Sequence, residues 1–242
     1  MNALISQWVG KREHQEDAYK VRHYPGGTLA LVCDGMGGHL FGDLASRTAA
    51  DAFADAFDAA PEGPVSARLL WALEQANAAV ACALADVAAF GGTTLTAAFI
   101  GGGVLWWVSV GDSPLYLWRM GRLIRLNADH SMRSVYMQYV QAGSITYEEA
   151  LHAGHSLRSA LTGDPPELID APSVPYPLIP GDRIVLTTDG ADDVLYTPIT
   201  TEGVKQLFEP QEGNLATRIV EACVALDNPY ADNVTVISVD WK

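Results

Sequence analysis

Two rhythms of apolar residues alternate along this chain. One is the short unbroken run closed by a turn or a charge, as in Leu29-Ala30-Leu31-Val32-Cys33 and Arg183-Ile184-Val185-Leu186-Thr187-Thr188. Such runs read as strands buried on both faces. The other is recurrence at three- and four-residue spacing, which marks one face of a helix. The first rhythm predicts strands over 4–9, 18–23 and 28–33, with Pro25-Gly26-Gly27 as the intervening turn. The second predicts a helix over about 42–59, carried by Leu44, Ala45, Ala49, Ala52, Phe53 and Ala56. Pro61-Glu62-Gly63-Pro64 breaks it, and a second helix over about 65–89 follows, with Leu69, Leu73, Ala76, Val80 and Leu84 on one side and Gly91-Gly92 at its end. Strands resume over 93–100, 104–110 and 115–119, with a hairpin at Met120-Gly121-Arg122. Segments 129–143 and 146–155 are weakly helical and polar, and read as a mobile excursion rather than core. Strands over 173–178 and 183–188 flank Pro180-Gly181-Asp182, helices cover 192–196, 203–208 and 215–226, and a closing strand covers 234–239.

Strands come in clusters and helices in pairs, without regular βαβ alternation. That order predicts an α+β layered sandwich rather than a Rossmann-like sheet. No repeat, low-complexity segment or linker divides the 242 residues, so a single domain is expected, with the excursion at about 129–160 as a flap.

Composition narrows the function classes. A hydrophobic content of 49% and a charged content of 18% describe a folded globular chain. A formal net charge of −14, with no basic run, argues against nucleic-acid binding. Cys33, Cys82 and Cys223 are scattered in apolar surroundings without metal-ligand spacing, and read as reduced, buried residues of a cytoplasmic protein. The first residues lack the apolar core of a signal peptide, and the alanine-rich stretch at 76–90 is interrupted by Asp86, so no membrane segment is expected. No oligomerising stripe stands out, which points to a monomer.

The acidic residues are placed unusually. Asp34-Gly35 and Asp189-Gly190 each close an apolar run, Gly111-Asp112-Ser113 closes another, and Glu16-Asp17 and Asp232-Asn233 sit beside the first and last strands. A carboxylate at a strand end lies at the rim of the core, where an unpaired charge is costly. Two of them at 4 Å repel by about 4 kcal/mol at an effective dielectric near 20. Several converging would require a cation, and an all-oxygen donor set selects Mg²⁺ or Mn²⁺ over zinc or copper. Gly35 leaves the backbone beside Asp34 unhindered, so its carbonyl is available as a further donor.

Taken in order, Arg12-x-x-Gln15-Glu16-Asp17, Asp34-Gly35-Met36-Gly37-Gly38-His39, Gly92-Thr93-Thr94, Gly111-Asp112-Ser113, Asp129-His130-Ser131, Thr188-Asp189-Gly190 and Asp232-Asn233 resemble the motifs of the metal-dependent protein phosphatases, the PPM or type 2C serine/threonine phosphatases, in their bacterial stand-alone form. The resemblance implies a four-layer αββα sandwich of two antiparallel sheets flanked by helix pairs, with a binuclear Mn²⁺ or Mg²⁺ centre between the sheet ends. By matching position, Asp34, Asp189 and Asp232 would be direct ligands, with Asp34 bridging, Gly35 giving its carbonyl and Glu16 holding metal-bound water. Asp17 and Asn233 would stand behind them. Asp112, with Asp189 and Asp193, would form a third, weaker metal position. Arg12 matches the arginine that grips the substrate phosphate, a task suited to a planar guanidinium fork.

The implied activity is hydrolysis of phosphoserine and phosphothreonine in proteins, opposing a cognate bacterial Ser/Thr kinase. The implied step is direct attack by a metal-bridging hydroxide, which places Arg12, Asp34 and Asp189 at the reaction centre. The general acid is left open, because Met36 stands where eukaryotic members carry a histidine. Gln15, Asp43 and Pro114 also depart from the usual Asn, Glu and Arg, without removing a ligand. His39 and His130 read as structural hydrogen-bonding residues, and His152 and His155 as solvated flap residues. The stretch from Gly143 to Leu161 resembles the family's flap and is a candidate for substrate selection.

Other classes fare worse. A haloacid-dehalogenase-type site needs a second Asp two residues after the first, where this chain has Met36, and Gly37-Gly38 opens no phosphate-binding P-loop. The alternative is a catalytically weak or partner-activated binding module on the same fold.

Overall fold

The computed structural model describes residues 2–37, 40–147, 149–150, 154, 156–196, 201–209 and 213–242. Its strands are β1 (Ala3–Trp8), β2 (Asp17–Tyr24), β3 (Gly27–Met36), β4 (Gly92–Thr93), β5 (Leu95–Gly101), β6 (Val104–Val110), β7 (Leu115–Arg119), β8 (Arg122–Arg125), β9 (Tyr176–Pro177), β10 (Arg183–Thr187) and β11 (Val234–Asp240). Its helices are α1 (Leu40–Ala59), α2 (Val65–Asp86), α3 (Arg133–Gln141), α4 (Asp192–Leu195), α5 (Glu202–Phe208) and α6 (Leu215–Ala225), with a 3₁₀ turn at Asp189–Ala191.

Two sheets form, and every pairing in them is antiparallel. One runs β1-β11-β10-β7-β8; the other runs β2-β3-β5-β6-β9, with β4 also on β3. The two-residue period of a strand decides what each face meets. On β3, Leu29, Leu31 and Cys33 pack against Phe53, Leu69 and Leu73 of α1 and α2, while Ala30 and Val32 turn inward. The inward face meets Leu117, Ile184, Leu186 and Ile237 of the other sheet. On β10, Val185 turns outward to Val204, Phe208 and Ile219 of α5 and α6. Helices, sheet, sheet and helices therefore stack as four layers with three buried interfaces, which is why the central strands are apolar on both faces.

Several boundaries differ from the sequence reading, each for a physical reason. The run at 93–100 divides into β4 and β5 at Thr94, where the Thr94 hydroxyl accepts from Asp34 N at 2.9 Å in place of a ladder carbonyl. The expected strand at 173–178 shrinks to Tyr176–Pro177, because Pro175 and Pro177 have no N–H to give a ladder. The charged segment Arg122–Arg125 is a strand, held by its hairpin to β7. The excursion is rooted in the core rather than lying over it: Asn127, His130, Ser131 and Arg133 are buried. Cys82 is exposed, contrary to expectation, since it lies two residues from both Val80 and Leu84 and so on the opposite side of α2. His39, His152 and His155 fall outside the described residues, as does part of the second weakly helical segment. Among the described residues, no helix is long and apolar enough to cross a membrane.

Candidate functional site

The strand ends bearing the acidic residues gather at one end of the sandwich. Register explains this. Asp17 at the start of β2 pairs with Asp34 near the end of β3. The end of β1 pairs with the start of β11 (Trp8 with Val234), and the end of β10 lies beside it (Thr187 with Val236). The loops carrying Arg12, Glu16, Asp189 and Asp232 thus open at the same rim as Asp34.

Between the sheet ends is a cleft of about 790 Å³ whose lining includes Arg12, Glu16, Asp34, Gly35, Asp112, Asp189, Asp232 and Asn233. Its far wall is the strip 156–160, with Thr162 and Pro165, Pro166 and Glu167 beyond. That strip is fixed at both ends, by the bridges of Ser131 with Leu157 and of Thr93 with Leu161. Arg158 lines the cleft from this wall, and Met36 lines it from β3. Among the described residues no histidine lines it.

Hydrogen bonds hold the carboxylates in place. Asp17 is buried, and its Oδ2 accepts from Thr188 Oγ1 at 2.8 Å and Thr235 Oγ1 at 2.6 Å, while Oδ1 has no partner. Thr93 Oγ1 donates to Asp34 O at 2.9 Å, and the Thr94 and Ser113 hydroxyls share a hydrogen bond of 2.7 Å. Asn233 clamps the loop after β1: its Oδ1 accepts from Glu16 N at 2.7 Å, and its Nδ2 donates to Val9 O at 2.8 Å and His14 O at 3.0 Å. Arg12 Nη2 donates to Asp232 Oδ2 at 2.6 Å. Gly35 is pinned between α1 and the loop that precedes β2, where a Cβ would lie 2.2 Å from Gly42 O and 2.6 Å from Glu16 O. No residue larger than glycine fits there.

The charges repel one another. Burial first, then Asp189, Asp17, Asp112 and Asp232, push the Asp34 carboxyl well above the usual carboxylate range. Asp112 is pushed up in the same way by burial, then Asp189, Asp129 and Asp192, with Arg133 opposing. Asp17 is pushed up to about 7 by burial and by Asp189 and Asp232, against the two threonine hydroxyls. Five strand ends thus place carboxylates within each other's field in a partly dry cleft. Such an arrangement calls for a cation.

The residues fit a hard divalent ion. The donors are all oxygen, Asp17 keeps a buried unpartnered oxygen, and the backbone at Gly35 is unobstructed by any side chain of its own. Among the described residues no three acidic, His or Cys side chains close on a single point; they ring the cleft, with Arg12 drawn onto Asp232.

Asp193 stands apart. It is exposed, and its Oδ2 accepts from Asn228 Nδ2 at 2.6 Å. Asp192 is the neighbour that faces the cluster, ion-paired to Arg133. One residue along a helix turns a side chain by about 100°, so the adjacent-acid pair Asp192-Asp193 could not be resolved from sequence. His130 braces Asp112 through its neighbour: its backbone N donates to Gly111 O at 3.1 Å, and its Nδ1 accepts from Gly111 N at 3.3 Å. Thr93, Thr94 and Ser113 lie in motifs whose spacing alone assigns them no role. Their place directly after Gly92 and Gly111 is the signal that sequence offers. For Thr235 and Arg133 the sequence offers no comparable signal.

The family model described as Protein phosphatase 2C matches residues 9–225. The chain is 34% identical over 235 residues to the serine/threonine protein phosphatase PstP of Mycobacterium tuberculosis, covering 95% of this chain and 42% of that protein. It therefore spans less than half the length of this relative. The crystal structure of the Mycobacterium tuberculosis serine/threonine phosphatase PstP/Ppp is similar with a TM-score of 0.79 at 31% identity, covering 100% of this chain and 98% of that one. The catalytic domain of the serine threonine protein phosphatase PstP in complex with 2 manganese ions is similar with a TM-score of 0.76 at 31% identity, covering 99% and 97%.

Proposed function

Since the chain belongs to the protein phosphatase 2C family, we propose that it is a Mn²⁺- or Mg²⁺-dependent phosphatase acting on phosphoserine and phosphothreonine in proteins, and that it opposes a Ser/Thr protein kinase. The observation that carries this reading is the meeting of Glu16, Asp34, Asp112, Asp189 and Asp232, from separate strand ends, in one cleft that also contains Arg12. In this reading residues 1–242 act as one catalytic unit with 129–160 as its flap. Its place of action is the cytoplasm, where its three free thiols stay reduced.

Two divalent ions, when bound, would acidify water for in-line attack on phosphorus and screen the phosphoryl charge. Asp34, Asp189 and Asp232, with the Gly35 carbonyl, are the direct donors in this proposal, and Glu16 acts through water. Asp17 and Asn233 hold these donors in position through Thr188, Thr235 and the loop after β1. Arg12 exchanges its exposed partner Asp232 for two oxygens of the phosphate, where its fork adds positive charge opposite the developing negative charge. Arg158 brings a second cation to the far wall, where the polypeptide flanking the phosphorylated residue would run.

The test is hydrolysis of p-nitrophenyl phosphate and of a phosphothreonine peptide, in EDTA and with Mn²⁺ or Mg²⁺, for the native chain and Asp34→Asn. Metal-dependent turnover of both substrates, lost in Asp34→Asn, is the expected result. A folded native chain that takes up Mn²⁺ and turns over neither substrate would replace the enzyme with a binding module.

A further inference from the structure

Tyr230 stands at the rim of the cleft, and the proposed reaction leaves it unused. It is 86% exposed, although it lies only two residues before Asp232. Strand register brings it to the side of the cleft that holds Arg12. Pairing of β1 with β11 runs from Ala3 with Val239 to Trp8 with Val234. The hydrogen bond from Lys11 N to Ala231 O, 2.9 Å, keeps that register beyond the strands. One step further, the same register sets Arg12 level with Tyr230. Gly10 lets the two loops approach, since its φ is +68° and a Cβ there would lie 2.1 Å from Asp232 O.

The turn that carries this ring is braced on several sides. Ala231 N donates to Asn228 O at 3.1 Å, and Pro229 fixes φ at the first central position, leaving Tyr230 at the second. Asn228 Oδ1 accepts from Tyr230 N at 2.9 Å, while its Nδ2 donates to Asp193 Oδ2 at 2.6 Å. Lys11 Nζ pairs with Asp227 Oδ1 at 3.0 Å. Asp193, which stands apart from the acidic cluster, therefore holds the turn from α4. An exposed aromatic ring is thus kept in one place beside the guanidinium that meets the phosphate. A basic side chain arriving there would meet Lys11 and Arg12, and an acidic one Asp227, Asp232 and the net charge of −14. A flat apolar side chain meets neither penalty and covers the ring.

We infer that Tyr230 is a specificity-determining residue, whose ring packs on an aromatic side chain flanking the phosphorylated residue of the substrate polypeptide. Asp193 is the positioning residue behind it, acting through Asn228. The inference rests on the proposed phosphatase activity and on Arg12 as the group that takes the phosphate. One flank of the substrate then runs along the wall of Arg158, and the other leaves past Arg12 and Tyr230. An extended polypeptide advances about 3.3 Å per residue, so the aromatic residue falls within three positions of the phosphothreonine.

The test is kcat/KM of the full chain, with Mn²⁺, on phosphothreonine peptides flanked by alanine. Phenylalanine, lysine or glutamate replaces one alanine at a time, at each of the three positions on either side. The native chain is expected to prefer phenylalanine over alanine by about 3- to 10-fold at one position, the size of one aromatic contact. Tyr230→Phe should keep that ratio, and Tyr230→Ala should bring it close to one. Asp193→Ala, which frees Asn228, should lower the ratio, and Asp193→Asn, which keeps an acceptor, should restore it. A native chain that shows no preference for phenylalanine at any position, or that favours lysine or glutamate over it, would overturn the role of Tyr230 and leave the phosphatase standing. Full preference in Tyr230→Ala would overturn it as well, and full preference in Asp193→Ala would remove Asp193 from it. A native chain that hydrolyses none of the peptides would overturn the phosphatase reading itself.

Discussion

Arg12 and Asp232 show how one contact carries two consequences of different size. Their side chains are 58% and 43% exposed, so the ion pair contributes little to stability, below about 1 kcal/mol. The same guanidinium on a phosphate makes charge-assisted hydrogen bonds that are not diluted in this way, because the phosphate arrives with the substrate. Arg12→Ala should therefore leave the melting temperature nearly unchanged and lower kcat/KM on a phosphothreonine peptide by about 10- to 100-fold, the equivalent of roughly 1.5–3 kcal/mol. Steady-state kinetics and a thermal melt on the same preparation would check both halves. Unchanged kinetics would remove Arg12 from the phosphate site. The sequence pointed to this residue through its spacing from Glu16. It could not show that Asp232, more than two hundred positions away, is its partner in the folded chain.

Among the elements, α1 contributes to the cleft through a missing side chain. Gly42 is buried in the first turns of α1, and a Cβ there would lie 2.0 Å from Glu16 Oε2 and 3.0 Å from the Gly35 carbonyl carbon. At an open helical position Gly→Ala stabilises by about 0.4–1 kcal/mol. Here the methyl needs the space of the Glu16 carboxylate, so Gly42→Ala should instead cost about 1–3 kcal/mol. It should also weaken the rise in melting temperature on adding Mn²⁺. Thermal melts with and without the ion measure both effects. A variant more stable than the native chain, with the full Mn²⁺ response, would show that Glu16 is not seated against α1. The strands were legible because β3 and β10 are apolar on both faces, a consequence of lying in the two inner layers. The boundaries that slipped did so where a local chemical event overrides periodicity: the Thr94 hydroxyl in the ladder, and the prolines of 173–178.

The folded molecule brings Asp17, Asp34, Asp112, Asp189 and Asp232 together at one end, and its stability should report it. In the folded chain Asp17 is raised from 3.8 to about 7 and Asp192 from 3.8 to about 6, each chiefly by burial. Between about pH 4 and 7 the folded chain then binds more protons than the unfolded one. Their contribution to stability is complete at the acid end of that window and is lost as pH rises through it. In EDTA, the melting temperature of the native chain should fall across this window relative to Asp17→Asn, which has no proton to lose at that position. Added Mn²⁺ should flatten the difference, because a cation favours the charged carboxylates and is bound more tightly as pH rises. A native melting temperature that climbs relative to Asp17→Asn in EDTA would mean that Asp17 is charged and well compensated in the folded chain.

What the sequence determined by itself is what local chemistry can encode. Period-two and period-3.6 patterns set the strands and helices, the absence of βαβ alternation set the α+β class, and hard oxygen donors after apolar runs set the kind of ion that such a cleft would suit. Strand register and layer packing decided the rest. They turned Asp192 rather than Asp193 toward the cluster, seated the Glu16 carboxylate against Gly42, buried Arg133 against Asp192, and left Cys82 in solvent. Each of these depends on the direction of a side chain relative to a neighbour distant in sequence. Such a direction exists only once the sheets have paired and the layers have closed.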